Sequence, residues 1–258
     1  MNKWIYPKIA VPCLVLLCFG FLSITSSCKN ESSTKREKWI DLKIKDWPQI
    51  VMTNKVVFDD TTYTDFASSF LVDTGEDTIG VTCKHVFAAF SAIGLFTVDF
   101  RGRLESWKMY PKNDRECVIE AGQLINRNPG EMAALPNTTN NTDWLAFKIK
   151  SGNKNIYPLK IGDGSVRAGE MLYNLGWTID QTDGPPKLYS FKVYRVVGNQ
   201  IFMEPVNFTD NAAGLSGSPI FNRDGHLVGI SSGATGNLAR ACSVFYLMEV
   251  LEKNHAPK

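Results

Sequence analysis

Gly214-Leu215-Ser216-Gly217-Ser218-Pro219 sets a serine between two glycines, directly ahead of the apolar pair Ile220-Phe221. A serine hydroxyl is a weak nucleophile at neutral pH. It needs a base to take its proton and donors for the charge that develops on an attacked carbonyl oxygen. Flanking glycines let the backbone turn tightly and bring bare N–H groups close to a substrate. The motif alone is short, so its meaning depends on the rest of the chain.

The base has few candidates, because the chain has only three histidines. His255 lies in the polar tail Glu252–Lys258, and His226 follows the turn pair Asp224-Gly225. Both read as solvent-exposed, His226 at a hairpin tip. His85 closes the apolar run Gly80-Val81-Thr82-Cys83-Lys84-His85 and is the expected general base. Asp143, leading into the alternating segment Trp144–Lys150, is the expected carboxylate that orients the imidazole. By itself Asp143 would pass for a loop residue in the tract Asn137–Thr142; its place between His85 and Ser216 makes the difference.

After residue 48 the pattern is mostly of short apolar and alternating runs. Val56–Phe58, Phe70–Val72, Leu95–Phe100, Cys117–Ile119 and Trp144–Lys150 mark a first half. Met171–Leu175, Leu188–Val197, Ile201–Met203, Pro219–Phe221, Leu227–Ser231 and Ser243–Tyr246 mark a second. Gly198-Asn199 and Asp224-Gly225 fall between such runs and read as hairpin turns. The expected class is an all-β barrel or sandwich, with Val244–Lys253 closing as a short helix. No P-loop, dinucleotide fingerprint, zinc-ligand spacing or internal repeat is visible, so no cofactor or metal is expected.

These blocks resemble the trypsin-like (chymotrypsin-fold) serine peptidases, the bacterial Deg/HtrA type above all. Ser69–Val72 with Val81–Val86 is similar to the family's strand leading to its histidine, and Asp143-Trp144-Leu145-Ala146 to its aspartate block. Ile161-Gly162-Asp163-Gly164 and Gly169–Gly176 resemble the segment opening the second barrel. Gly214–Pro219 and Leu227–Ser231 resemble the nucleophile block and its following strand. The order His, Asp, Ser is the family's own. The resemblance implies two packed six-stranded antiparallel β-barrels over residues 48–258, a Ser216-His85-Asp143 triad, and an oxyanion hole made by the N–H groups of Gly214 and Ser216. It further implies that Ser231-Ser232-Gly233 pairs with an extended peptide substrate. Asp210, six residues before Ser216, falls near the floor of the first pocket in trypsin-type enzymes, where it would favour basic side chains; Thr209-Asp210-Asn211 suits a turn equally well.

The chain departs from the family at three places. Leu215 stands where animal members carry an aspartate that pairs with a newly cut N-terminus, so activation by that route is not expected. Ser218 replaces a glycine, and Cys83 a small residue, usually alanine. No PDZ domain is expected after the last strand, and the protein is expected to be a monomer.

The first 27 residues have the layout of a signal peptide: Lys3 and Lys8, an apolar run over Ile9–Ile24, then small residues up to Cys28. Small residues before a cysteine are similar to a bacterial lipobox, which makes Cys28 the expected lipidation site. Residues 28–47 are polar and mixed in charge at their start and read as a flexible tether. Loss of residues 1–27 would leave 26 basic and 26 acidic residues. Such a balance gives no reason to expect a nucleic-acid partner. The expected location is the bacterial cell envelope, on its periplasmic or surface face. Cys83, Cys117 and Cys242 remain, an odd number that leaves room for one disulfide at most. Two other classes stay open on the sequence: a protease-like fold kept for binding, and acyl transfer to other substrates on the same residues.

Overall fold

The computed structural model describes residues 35–127, 141–152, 155–206 and 212–255. Cys28 and Asp210 lie outside the described residues. Among the described residues, thirteen strands and two α-helices follow in order: β1 (Val51–Phe58), β2 (Thr62–Asp73), β3 (Thr78–Thr82), α1 (Phe87–Phe90), β4 (Leu104–Tyr110), β5 (Ile119–Leu124), β6 (Leu145–Ser151), β7 (Leu159–Lys160), β8 (Met171–Gly176), β9 (Lys187–Val197), β10 (Gln200–Pro205), β11 (Pro219–Phe221), β12 (Leu227–Thr235), β13 (Leu238–Ser243) and α2 (Val244–His255). Strands β1-β4-β5-β6-β3-β2 form one antiparallel sheet that closes through the β1–β2 pair, with β7 added parallel to β2. Strands β10-β13-β12-β11-β8-β9 form a second closed barrel. Closure pairs every strand and leaves no long free edge. The chain therefore has the chymotrypsin-like fold of two six-stranded antiparallel barrels and a short C-terminal helix.

Alternation fills each barrel. Phe58, Trp107 and Phe147 point into the first, and Trp107 lies 4.9 Å from Phe147, ring centre to ring centre. The buried Trp107 N–H donates to Asn54 Oδ1 at 2.8 Å, which removes the cost of an unpaired indole. Leu172, Ile201, Ile220 and Val228 fill the second barrel. Residues of the outer face of β11–β13, among them Phe221, Ile230 and Cys242, join the core of the first barrel and of α2. Burying each large apolar side chain contributes about 1.5–3 kcal/mol.

Several local expectations are corrected. Leu95–Phe100 is not a strand: Gly94 ends the preceding turn at φ +75°, and Asp99 accepts hydrogen bonds from Thr97 Oγ1 and the Arg101 N–H, which wind the segment into turns. Leu104–Tyr110 supplies the strand instead. Ser243–Tyr246 is not a strand beyond its first residue; the helix begins at Val244. The turns at Gly198-Asn199 and Asp224-Gly225 lie between β9 and β10 and between β11 and β12 as expected.

The segment expected to be a tether through residue 47 is docked from Arg36 onward. The Glu37 N–H donates to Asp224 O at 2.9 Å, and its carboxylate accepts from Tyr157 Oη and from Lys160 Nζ. Burial pushes the Glu37 carboxyl up, but these two donors outweigh it and hold it below its ordinary range. Trp39 is 5% exposed and packs edge-on against Trp47 and Phe221. This strap also covers His226, which is 2% exposed, not at a solvent-facing tip, with its Nε2 3.9 Å from Glu37. An Asp-Gly turn signals a hairpin, but it cannot reveal what packs over the hairpin.

Candidate active site

The two barrels bring together three side chains from distant parts of the sequence. His85 sits in a single 3-10 turn, Lys84–Val86, at the end of β3. Its position is set by neighbours that bury on either side, Val81 before it and Phe87 and Phe90 after it. Asp143 precedes β6 by two residues and is 0% exposed. The adjacent Trp144 anchors it across the barrels, its indole N–H donating to Ser243 O at 3.0 Å. Ser216 stands in the turn leading to β11, between Leu215, which is buried in the second-barrel core, and Gly217.

The three side chains form one hydrogen-bonded line. His85 Nδ1 donates to Asp143 Oδ2 at 2.7 Å, and the His85 backbone N–H donates to Asp143 Oδ1 at 2.8 Å. Ser216 Oγ lies 2.8 Å from His85 Nε2. With Nδ1 protonated by this arrangement, Nε2 is the acceptor for the serine proton. The His85 side chain keeps 30% of its surface exposed. Burial works against a charged imidazole, but the Cys83 sulfur and the Asp143 carboxylate override it and hold the His85 pKa well above its usual 6.5. Cys83 Sγ is 3.7 Å from His85 Nε2 and buried.

The two glycines of the motif have no substitute. Gly214 has φ +99°, and a Cβ there would lie 2.5 Å from Ile179 N. Gly217 has φ +80°, and a Cβ would lie 2.2 Å from Ser68 O. Both are backbone obstacles, so neither can yield cheaply. Among the described residues, the N–H groups of Gly214 and Ser216 donate to no acceptor, whereas those of Leu215, Gly217 and Ser218 all do. Two free N–H groups on either side of Leu215 are what an oxyanion requires. Ser218 is fully buried, and its hydroxyl donates to Asn174 Oδ1 at 2.9 Å. It serves the packing of the turn.

Of the expected substrate residues, Ser231 braces the turn: its N–H donates to Ser218 O and its carbonyl accepts from the Gly217 N–H, both at 2.9 Å. Ser232 is buried, and its hydroxyl donates to Asp143 Oδ2. Gly233 is exposed at φ +102°. Two further residues were invisible to sequence reading. Ser68 N–H donates to Ser216 O at 2.6 Å, and Thr82 Oγ1 donates to Ser68 O at 2.7 Å. This link from the first barrel holds the Ser216 backbone through main-chain atoms, which carry no residue signal. Cys83, Cys117 and Cys242 are all free and buried, so the one allowed disulfide does not form among them. Burial pushes the Cys242 thiol up to about 12, which leaves it inert.

The profile of the trypsin-like peptidase domain matches residues 67–230, a span that holds His85, Asp143 and Ser216. No protein of curated function matches the sequence. Among solved structures, the fold is similar to that of Deg5, with a TM-score of 0.52 and 17% identity over 78% of this chain and 86% of that one. At that identity the likeness speaks for the fold. The profile covers more than half of the chain, and with it the protein belongs to the trypsin-like peptidase family.

Proposed function

We propose that the protein is a serine endopeptidase that cuts peptide bonds through an acyl-enzyme. The observation that carries this reading is the continuous hydrogen-bonded line Ser216–His85–Asp143, which runs from a partly exposed serine to a fully buried carboxylate. Ser216 Oγ attacks the substrate carbonyl carbon as His85 Nε2 takes its proton. The carbonyl oxygen becomes an anion held by the N–H groups of Gly214 and Ser216. His85 then gives its proton to the departing amine, and water repeats the sequence to release the acid. Asp143 fixes the imidazole tautomer and stabilises its charged form. The exposed Gly233 on β12 supports an extended substrate backbone laid along that strand.

The same reading places the mature protein at a bacterial cell envelope as a monomer, lipidated at Cys28 after removal of residues 1–27. The sequence pattern supports this part. Cys28→Ser should release the protein from the membrane fraction or block its processing; a substituted protein still cleaved and still membrane-bound would refute the anchor. For the chemistry, His85→Ala should cut peptide hydrolysis by several orders of magnitude with the thermal unfolding transition retained. Full hydrolysis by that variant would refute the assignment, because His226 is buried under the strap and His255 ends the C-terminal helix.

A further inference from the structure

The outer face of β12 and β13 changes character along its length. Ile230 pairs with Cys242, and both belong to the core between the barrels. One alternation further on, the same face carries Ser232 on β12 and Arg240 on β13, while Ala239 and Ala241 point into the second barrel. The strand register slips between Ser231 and Ala234, and the extra residue leaves Ser232-Gly233 bulged beside Arg240. Arg240 Nη2 donates to Ser232 O at 2.9 Å. Ser232 is the residue whose hydroxyl holds Asp143, so the guanidinium stands one residue from the catalytic line.

Arg240 is under-used for a cation in this position. Its Nε is buried and has no acceptor among the described residues, and none of their carboxylates pairs with it. The space next to it is open: a Cβ on Gly233 would meet only Arg240 Nη2, at 3.8 Å. A guanidinium presents five N–H donors in a planar fork that matches a carboxylate, and a half-buried one with a free donor gains most from an anionic partner.

From this geometry, and resting on the peptidase reading above, we infer that Arg240 selects substrates with aspartate or glutamate immediately before the cut bond. The side chain of that residue enters the space over Gly233 and its carboxylate meets Arg240, while the backbone runs along Ser231–Gly233. Lysine and arginine are repelled. This opposes the preference for basic side chains expected from Asp210.

The test uses matched peptides that differ only at the residue before the cut, carrying Glu, Asp, Gln, Leu or Lys. A charge-assisted pair at a partly buried guanidinium should raise kcat/KM for Glu or Asp over Gln by about tenfold to a hundredfold. In Arg240→Gln that ratio should fall to near one, and Arg240→Lys should keep part of it. Asp210→Asn should leave the acid preference in place. Reaction of each variant with a fluorophosphonate reports on the Ser216 site independently. If Arg240→Gln does not fold, the wild-type ratio and Arg240→Lys still decide. A protein that labels at Ser216 but cuts after Gln as well as Glu, or prefers Lys, overturns this inference alone. A protein that neither labels nor cuts overturns the peptidase reading and this inference with it.

Discussion

Ser232 and His85 share one oxygen: the Ser232 hydroxyl and His85 Nδ1 both donate to Asp143 Oδ2, while Oδ1 takes the His85 backbone N–H. A buried carboxylate is thereby held in one orientation by three donors from two barrels. The barrels are in this sense joined at the carboxylate itself. Ser232→Ala should lower kcat/KM by about tenfold to a hundredfold, the cost of one lost hydrogen bond to a buried charge. Steady-state kinetics on one peptide substrate checks this, and an unaffected rate would show that Ser232 has no part in orienting Asp143.

The pH profile follows from the same cluster. His85 must be neutral to accept the serine proton. Burial opposes its protonation, yet the Cys83 sulfur and Asp143 carboxylate hold its pKa above the usual 6.5. Activity should therefore be lost as pH falls through a value higher than 6.5. The acid limb of kcat/KM reports the free enzyme's base. A limb at or below 6.5 would contradict the described surroundings of His85.

Gly214→Ala tests the turn that presents the two free N–H groups. The added Cβ has Ile179 N at 2.5 Å and a positive φ, so the turn must move. Loss of one oxyanion donor costs about 2.7–4 kcal/mol of transition-state stabilisation, or roughly 10²–10³ in kcat. The measured quantity is kcat at saturating peptide; a value within a few-fold of wild type would mean that Gly214 N–H does not face the oxyanion.

The strap and Leu215 bear on activation. Leu215 is 3% exposed and packs in the second-barrel core, so no freed amine can pair with it. Residues added or removed ahead of Arg36 should leave peptide hydrolysis unchanged. Trp39→Ala, by contrast, empties a buried aromatic site and should destabilise the fold by about 3–5 kcal/mol, read from the denaturant midpoint. Activity that appears only after a cut at the N-terminus would contradict this account.

Much of the site was legible because chemistry restricts residue type. Three histidines left one candidate base, and Gly-x-Ser-Gly marked a turn that the structure shows to be closed to any side chain at both glycines. What escaped was set by tertiary packing. β13 is Leu-Ala-Arg-Ala-Cys-Ser, weak in strand preference, and forms because β10 and β12 pair with it on both sides. β4, Leu-Glu-Ser-Trp-Lys-Met-Tyr, hides its buried Trp107 and Met109 among charges. His226 and the strap conceal each other, and neither has a local signal for the contact. The bracing of Ser216 by Ser68 and Thr82 runs through backbone atoms and leaves no motif.

The central claim is that Ser216 is a nucleophile activated by His85. The direct measurement is covalent labelling by a fluorophosphonate, with the modified residue located by mass spectrometry. The account predicts stoichiometric labelling on Ser216, none in Ser216→Ala, and labelling slowed by orders of magnitude in His85→Ala. A wild-type protein that stays unlabelled, or one labelled at the same rate without His85, would contradict it.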